Sequence, residues 1–279
     1  MKLTRPRITL TTVGKHAVLI LWSLVVLFPI WTMLINSVKP KREIFRNPFG
    51  LPSEITFEGY QNAWTDGRFD LYFGNSLFVT IVSLVLILIL GSLAAYALAN
   101  WSSRASNFLY IYFIAGLMIP IRLGTINLFQ IIQSLHLEDS LFSLIPVYIA
   151  MGLPIATFVL TSFIRSVPSE LLDAARIDGA SEWRVYATII LPVVRPALAT
   201  VTIFNMIPIW NDLWFPLIFI RAQGSRTVTL GVSLLFGQYQ TDWTRALSAL
   251  SMAAVPVLVV YLLMSTQFIK GLTAGALKG

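Results

Sequence analysis

Asp212 is the one acidic residue in the otherwise uncharged, apolar stretch between Arg195 and Arg221, set in Trp210-Asn211-Asp212-Leu213-Trp214 and bracketed by Pro208 and Pro216. An acid in such surroundings either serves a solute or ion pathway, or accepts hydrogen bonds from nearby backbone or Asn211 and holds a bend. A second cluster places Glu170, Asp173 and Asp178 around Ala174, Ala175 and Gly179. Acids with small residues suit close docking into a protein groove, whereas a helix lying on lipid would carry Lys and Arg on its polar face and large aromatics on the other. Asn75, Asn127 and Gln130 are further polar candidates near the ends of apolar stretches, where structural or solvated roles compete. Covalent and metal chemistry find little support. The chain has no cysteine, and its two histidines, His16 and His136, have no metal-ligand spacing. The apolar stretches hold no nucleophile with a base and no paired carboxylates. No G-x-x-x-x-G-K-[ST] occurs, so any ATP energy must come from a partner.

The elements that must position these residues follow from composition. Of 279 residues, 56% are hydrophobic and 12% charged, against roughly 45–50% and about 25% in an ordinary globular domain. Too little polar surface remains to face water all round, and the apolar residues fall in long blocks. Lipid is therefore the solvent. The uncharged blocks predict an all-α polytopic membrane protein, one transmembrane domain over 1–279, with six helices at about 16–38, 72–100, 105–124, 140–164, 196–220 and 246–269. The third is short and relies on Arg122 reaching the interface. The fifth continues through Asp212. The net charge of +7 reads as a topology signal, not as nucleic-acid binding. The basic cluster before the first span (Lys2, Arg5, Arg7, Lys15) places both termini in the cytoplasm. That first span is too long for a signal peptide, and no Ala-x-Ala site follows it, so it is expected to be retained.

Two connectors stand out. Residues 39–70 read as a hydrophilic outside loop of mixed charge, broken by Pro48-Phe49-Gly50-Leu51-Pro52. The cytoplasmic loop 165–195 reads as two short helices: Pro168 opens the first, Gly179 ends it, and Ser181 caps the second with Glu182 in its first turn. Leu171, Leu172 and Ala175 form an apolar stripe along the first of them.

At these residues the sequence resembles a known family. Asp173-Ala174-Ala175, then Gly179, then Ile189, Leu191 and Pro192 are similar to the loop signature of ABC importer permeases, with Asp in place of the usual first Glu. Trp210-Asn211-Asp212-Leu213-Trp214 with Pro216, and the ending Gln267 to Ala276, resemble the carbohydrate-uptake branch, in particular its maltose-type second permease subunit. The resemblance implies a bacterial inner-membrane sugar importer in which this chain forms half of the pathway. It implies three partners: a second homologous permease, a dimer of cytoplasmic ABC ATPases and an extracytoplasmic solute-binding protein. ATP and Mg would sit on the ATPases, with no cofactor in this chain. The loop 165–195 would then be a coupling hairpin, with Glu170, Asp173, Ala174, Ala175, Asp178 and Gly179 meeting the ATPase. Asn75, Asn127, Gln130, Trp210, Asn211, Asp212 and Trp214 would line the solute path, because sugars are held by aromatic platforms and amides. The competing expectation is an ion-coupled secondary transporter, which favours several ionisable groups at mid-membrane where this chain has one.

Overall fold

The uncharged run that follows Lys15 folds into α1 (Leu10–Ser37), the first of the long helices in the computed structural model. The structure describes residues 10–101, 103–236 and 241–276, with side chains between 11 and 266; Lys2, Arg5, Arg7 and Lys278 lie outside the described residues, as do the side chains of the ending from Gln267. After α1 come two short helices, α2 (Lys41–Arg46) and α3 (Glu58–Trp64), and then the 32-residue α4 (Phe69–Asn100). Ser103 caps α5 (Arg104–Met118) by accepting from the Ser106 N–H. There follow α6 (Thr125–Ser134) and α7 (Leu144–Ile164). The connector then forms α8 (Ser169–Ile177), α9 (Glu182–Val185), a π-helical turn over Tyr186–Ile190, and α10 (Leu191–Val193). The chain continues through α11 (Arg195–Trp210), α12 (Trp214–Phe219), α13 (Val228–Ser233) and α14 (Trp243–Ala276).

Among the described residues four helices are long and apolar enough to cross a membrane, and up to six crossings result if each of two bent pairs counts as one. The sequence reading is corrected at two spans. The expected helix 105–124 stops at Met118, and the segment Ile121–Ser134 runs at 85° to it. Pro120 is the cause: it forces Ile119 into an extended conformation (φ −87°, ψ 116°). The expected continuous helix 196–220 is broken at Asn211-Asp212-Leu213, between α11 and α12. A second bend of 74° separates Glu182–Val193 from Arg195–Trp210, where Pro196 opens α11.

The described chain divides into two units. One runs to Phe69 and includes Leu234–Met252. In it, Ser248 donates to the Ser37 carbonyl at 3.0 Å. A Cβ on Gly59 would stand 2.5 Å from the Ser248 hydroxyl, so only glycine admits this approach of α3 to α14. The other unit runs from Asp70 to Ser233 and resumes at Ala253. Its core joins Val79 and Ile87 of α4, Leu144, Ala156 and Leu160 of α7, Ala197 and Val201 of α11, and Phe215 of α12. α7 packs against α5 and α11, and α12 against α6 and α7. Gly91 and Gly152 let these helices approach: a Cβ at Gly152 would lie 2.4 Å from Ile87 and 2.5 Å from the Asn205 amide oxygen, and one at Gly91 would lie 2.7 Å from Ala156 Cβ.

Candidate functional site

The residues singled out in the sequence collect in two places. The first is the helical hairpin of α8 and α9. Pro168 precedes α8, and the chain leaves that helix through Gly179 at φ +81°, a left-handed conformation that L side chains resist. Ser181 then caps α9 by accepting from the Arg184 N–H. Leu172 is buried against the core and Ala175 packs beside it, whereas Leu171 of the same stripe is exposed. A Cβ on Gly179 would meet nothing within 4 Å, so its turn stands clear of the rest of the chain.

The polar residues of the hairpin take different parts. Arg176 bonds Asp173 at 3.0 Å and Glu182 at 2.8 Å, tying the two short helices together. Glu182 also accepts from the Tyr96 hydroxyl of α4 at 2.5 Å, and Tyr186 shares a hydrogen bond with Ser92 one turn earlier on α4. The Arg176 and Tyr96 hydrogen bonds hold the Glu182 carboxyl below the usual carboxylate range, while the bonds to Glu182 and Asp173 raise the Arg176 guanidinium. Asp173 is therefore partly engaged within the chain. Glu170 and Asp178 are exposed and have no side-chain bond among the described residues, and exposed Ala174, Ile177 and Trp183 leave an apolar surface beside them. Sequence reasoning missed the Arg176–Glu182–Tyr96 clasp, because Tyr96 comes from an element 86 residues away.

The second place is the break between α11 and α12. Asp212 is buried, and its carboxylate accepts from the N–H groups of Trp214 and Phe215, both at 3.2 Å, and from the Tyr148 hydroxyl at 3.0 Å. Asp212, one residue before the N-cap Leu213, thus satisfies N–H groups in the first turn of α12 and binds one added phenol. Thr229 bonds the Asp212 carbonyl. Of the two readings of Asp212, the geometry matches the one in which it holds the bend. Trp210 is buried too, its ring against Phe73 and its Nε1–H on the Ala253 carbonyl at 2.9 Å. Asn75 donates to the carbonyls of Gly224 and Arg226, fastening that loop to α4.

Four of the seven predicted path residues remain on the surface. Trp214 is 42% exposed; its Nε1–H reaches Thr125 Oγ1 at 3.0 Å, and the Arg122 guanidinium lies 5.8 Å from its ring centre. Asn127 and Gln130 are exposed on α6, the helix that Thr125 begins. Asn211 is exposed, its amide donating to the Ile207 carbonyl. Trp214 and α6 thus form one surface with an aromatic face, amides and a cation. A cleft of about 240 Å³ lies between Gln133, Glu138 and Arg221. At its edge Asp139 accepts from the Arg221 and Ala222 N–H groups, which keep its carboxyl below the usual range. Asp139 was not singled out in the sequence, where a loop acid carries no signal.

Comparison with known proteins follows the same residues. A family model described as the binding-protein-dependent transport system inner membrane component matches residues 87–269, a range that contains both the hairpin and the Asp212 break. The chain is 36% identical over 266 residues to the diacetylchitobiose uptake system permease protein NgcG of Streptomyces coelicolor, covering 95% of this chain and 88% of that relative. It is 32% identical over 260 residues to the arabinooligosaccharides transport system permease protein AraQ of Halalkalibacterium halodurans, covering 91% and 92%. Its fold matches a chain of a bacterial ABC transporter involved in the import of the acidic polysaccharide alginate, with a TM-score of 0.82 and 21% identity, covering 95% of this chain and 100% of that one.

Proposed function

The chain belongs to the family of binding-protein-dependent transport system inner membrane components, and from that membership we propose that it is the permease of an ATP-driven carbohydrate importer, forming half of the translocation path. It is a transport subunit and not a catalytic enzyme; ATP and Mg belong to separate ATPase subunits. The observation that carries the reading is the family match over residues 87–269, which encloses an exposed hairpin and a helix break with an exposed aromatic beside it. Relatives named for diacetylchitobiose and arabinooligosaccharide uptake support a saccharide as the cargo.

In this reading the chain crosses six times, the bent pair Arg104–Met118 and Ile121–Ser134 counting as one crossing and α11 with α12 as another, with both termini in the cytoplasm. The α8–α9 hairpin docks on one subunit of the ATPase dimer. Glu170 and Asp178 supply its free charges, Ala174 its close approach, Ile177 and Trp183 its apolar contact, and Gly179 the turn. Asp173 contributes from within its pair with Arg176. Closure of the ATPases on ATP moves the hairpin and shifts the bundle between inward-open and outward-open states. That shift requires ATP and the loaded binding protein to bind the two states unequally. The path is completed by a second, homologous permease. Trp214, Asn211, Asn127 and Gln130 offer a stacking face and amide bonds to a sugar, while Trp210, Asp212 and Asn75 hold the frame that presents them. The secondary-transporter reading has weaker support, because the family match is to binding-protein-dependent systems and the single acid of the apolar stretches, Asp212, is engaged in three hydrogen bonds within the chain.

The test is purification of the chain from its native membrane with whatever accompanies it, followed by mass spectrometry and an ATPase assay. The expected result is a second permease and a P-loop ATPase whose hydrolysis rises with a sugar-loaded binding protein. Recovery of the chain alone, transporting solute on an ion gradient, would overturn the reading.

A further inference from the structure

The connector after α1 also exposes large apolar side chains that its hydrophilic sequence reading does not anticipate. Its one buried charge is Lys39, which has no exposed surface, while Phe45, Phe49 and Leu51 are exposed at 62%, 66% and 69%. The loop does not stand away from the membrane helix. The Phe49 ring lies 5.6 Å from that of Phe28. Phe28 stands nine residues before the end of α1 at Ser37, about 13 Å along the helix axis at ~1.5 Å per residue. Phe28 is itself half exposed, within a helix whose apolar window is only 6% buried. Residues 46–52 therefore double back along the apolar surface of a membrane span.

Irregular backbone survives at membrane depth only when its polar groups are satisfied within the protein. Here the carbonyls of Asn47, Pro48 and Gly50 and the N–H groups of Asn47 and Gly50 find partners within the chain. Lys39 Nζ donates to the Asn47 and Gly50 carbonyls, each at 2.7 Å, and Asn36 Nδ2 donates to the Pro48 carbonyl at 2.8 Å. The Gly50 N–H reaches the Asn47 side chain at 3.0 Å, the Asn47 N–H bonds the Glu43 carbonyl, and Pro48 has no N–H to satisfy. Glu43, the one acid of α2, is taken by the N–H and hydroxyl of Ser53 at 2.7 and 2.9 Å. Lys41, Arg42 and Arg46 remain exposed on the same helix. The result is an apolar tip whose turn carbonyls are held within the chain, with a basic collar, which matches acyl chains below phosphate headgroups.

We infer that the loop 46–52 inserts Phe49 and Leu51 at the headgroup–acyl boundary of the membrane leaflet at the Ser37 end of α1, with Lys39 as the internal lock that ties down its turn carbonyls. The surface is a lipid-binding one, continuous with the lipid-facing side of α1. It does not depend on the transport reading.

The chain has no cysteine, so Phe49→Cys introduces its only thiol. The full chain, purified with whatever subunits accompany it, is labelled there with bimane in nanodiscs of phosphatidylcholine and phosphatidylglycerol, with the unsubstituted preparation as the blank. Quenching by acyl-chain nitroxide lipids and by aqueous iodide is then compared. Strong nitroxide quenching with little from iodide is expected. Quenching by iodide alone would mean an aqueous loop, and quenching by neither would mean that a protein partner covers it; both results overturn the inference. Leu51→Cys repeats the measurement if the first variant assembles poorly. Adding Lys39→Met is expected to move the label from nitroxide quenching to iodide quenching, and an unchanged pattern would remove Lys39 from its role as the lock.

Discussion

Asp212 and Gly179 show how one side chain, or the lack of one, fixes a local path. The Asp212 carboxylate gathers two backbone N–H groups and a buried phenol where α11 ends and α12 begins. Asp212→Ala should therefore cost about 1 kcal/mol for the lost cap and a further ~1–3 kcal/mol for the stranded Tyr148 hydroxyl. Asp212→Asn keeps an acceptor in place and should retain most of the stability. Thermal unfolding of the purified complex, read beside solute uptake, checks this. If the Asn variant unfolds like the parent yet loses uptake, the carboxylate has a role in transport beyond the cap. At Gly179 the space is open and only φ +81° is demanding. A β-carbon in the left-handed region costs about 1–2 kcal/mol, and Asn tolerates it best. Activity should fall in the order Gly, Asn, Ala, Val, measured as uptake and as ATPase stimulation by the loaded binding protein. Equal activity of Val and Gly would show that the turn is not needed in this conformation.

Among the elements, the hairpin is held to α4 by polar contacts and the long helices to one another by small residues. Glu182 has a depressed pKa in the folded chain. Its contribution is therefore present above the ordinary carboxylate pKa and is lost as pH falls through the depressed value. Limited proteolysis near Gly179 should quicken in that acid range, and Glu182→Gln, which keeps an acceptor without a titrating charge, should flatten the part due to this residue. A Glu182→Gln profile that follows the parent would assign the pH effect to other groups. In the packing, Gly152→Ala forces a methyl against Ile87 and Asn205 and should destabilise the α4–α7–α11 contact by about 1–3 kcal/mol. A lower unfolding temperature of the purified complex is the expected reading. Both bent pairs have a proline at the bend, Pro120 in one and Pro196 in the other. The sequence displays these prolines plainly, yet the count of uncharged residues treats them as part of a span, which is why 105–124 reads as one helix.

At the scale of the whole molecule, composition leads to the bilayer and the family match leads to an assembly. The proposed orientation rests on the bias of Lys and Arg, which local structure does not report. A reporter active only in the cytoplasm should be active when fused at either end of the chain and inactive when inserted near Asp66. The reverse pattern would invert the topology and place the hairpin away from any ATPase. In the proposed assembly the extensive exposed surface of α1 and the exposed face of the hairpin would be offered to lipid and to other chains.

By itself the sequence determined the solvent, the helical class, the hairpin with its turn at Gly179, and the family, because each rests on local composition or on residue types at fixed short spacing. The cap at Asp212 was half legible: its candidate partners along the chain were visible, but the Tyr148 hydroxyl comes from 64 residues away. Tertiary structure decided the rest. It buried Trp210 while leaving Trp214 exposed, although both belong to the same short motif, because the break between their helices turns one toward Phe73 and Ala253 and the other toward α6. It also enclosed Lys39 and exposed Phe49, reversing what their polarity implies. The physical reason is that burial is set by what lies opposite a residue once the chain has folded back, and for Lys39 that is a set of carbonyls needing donors.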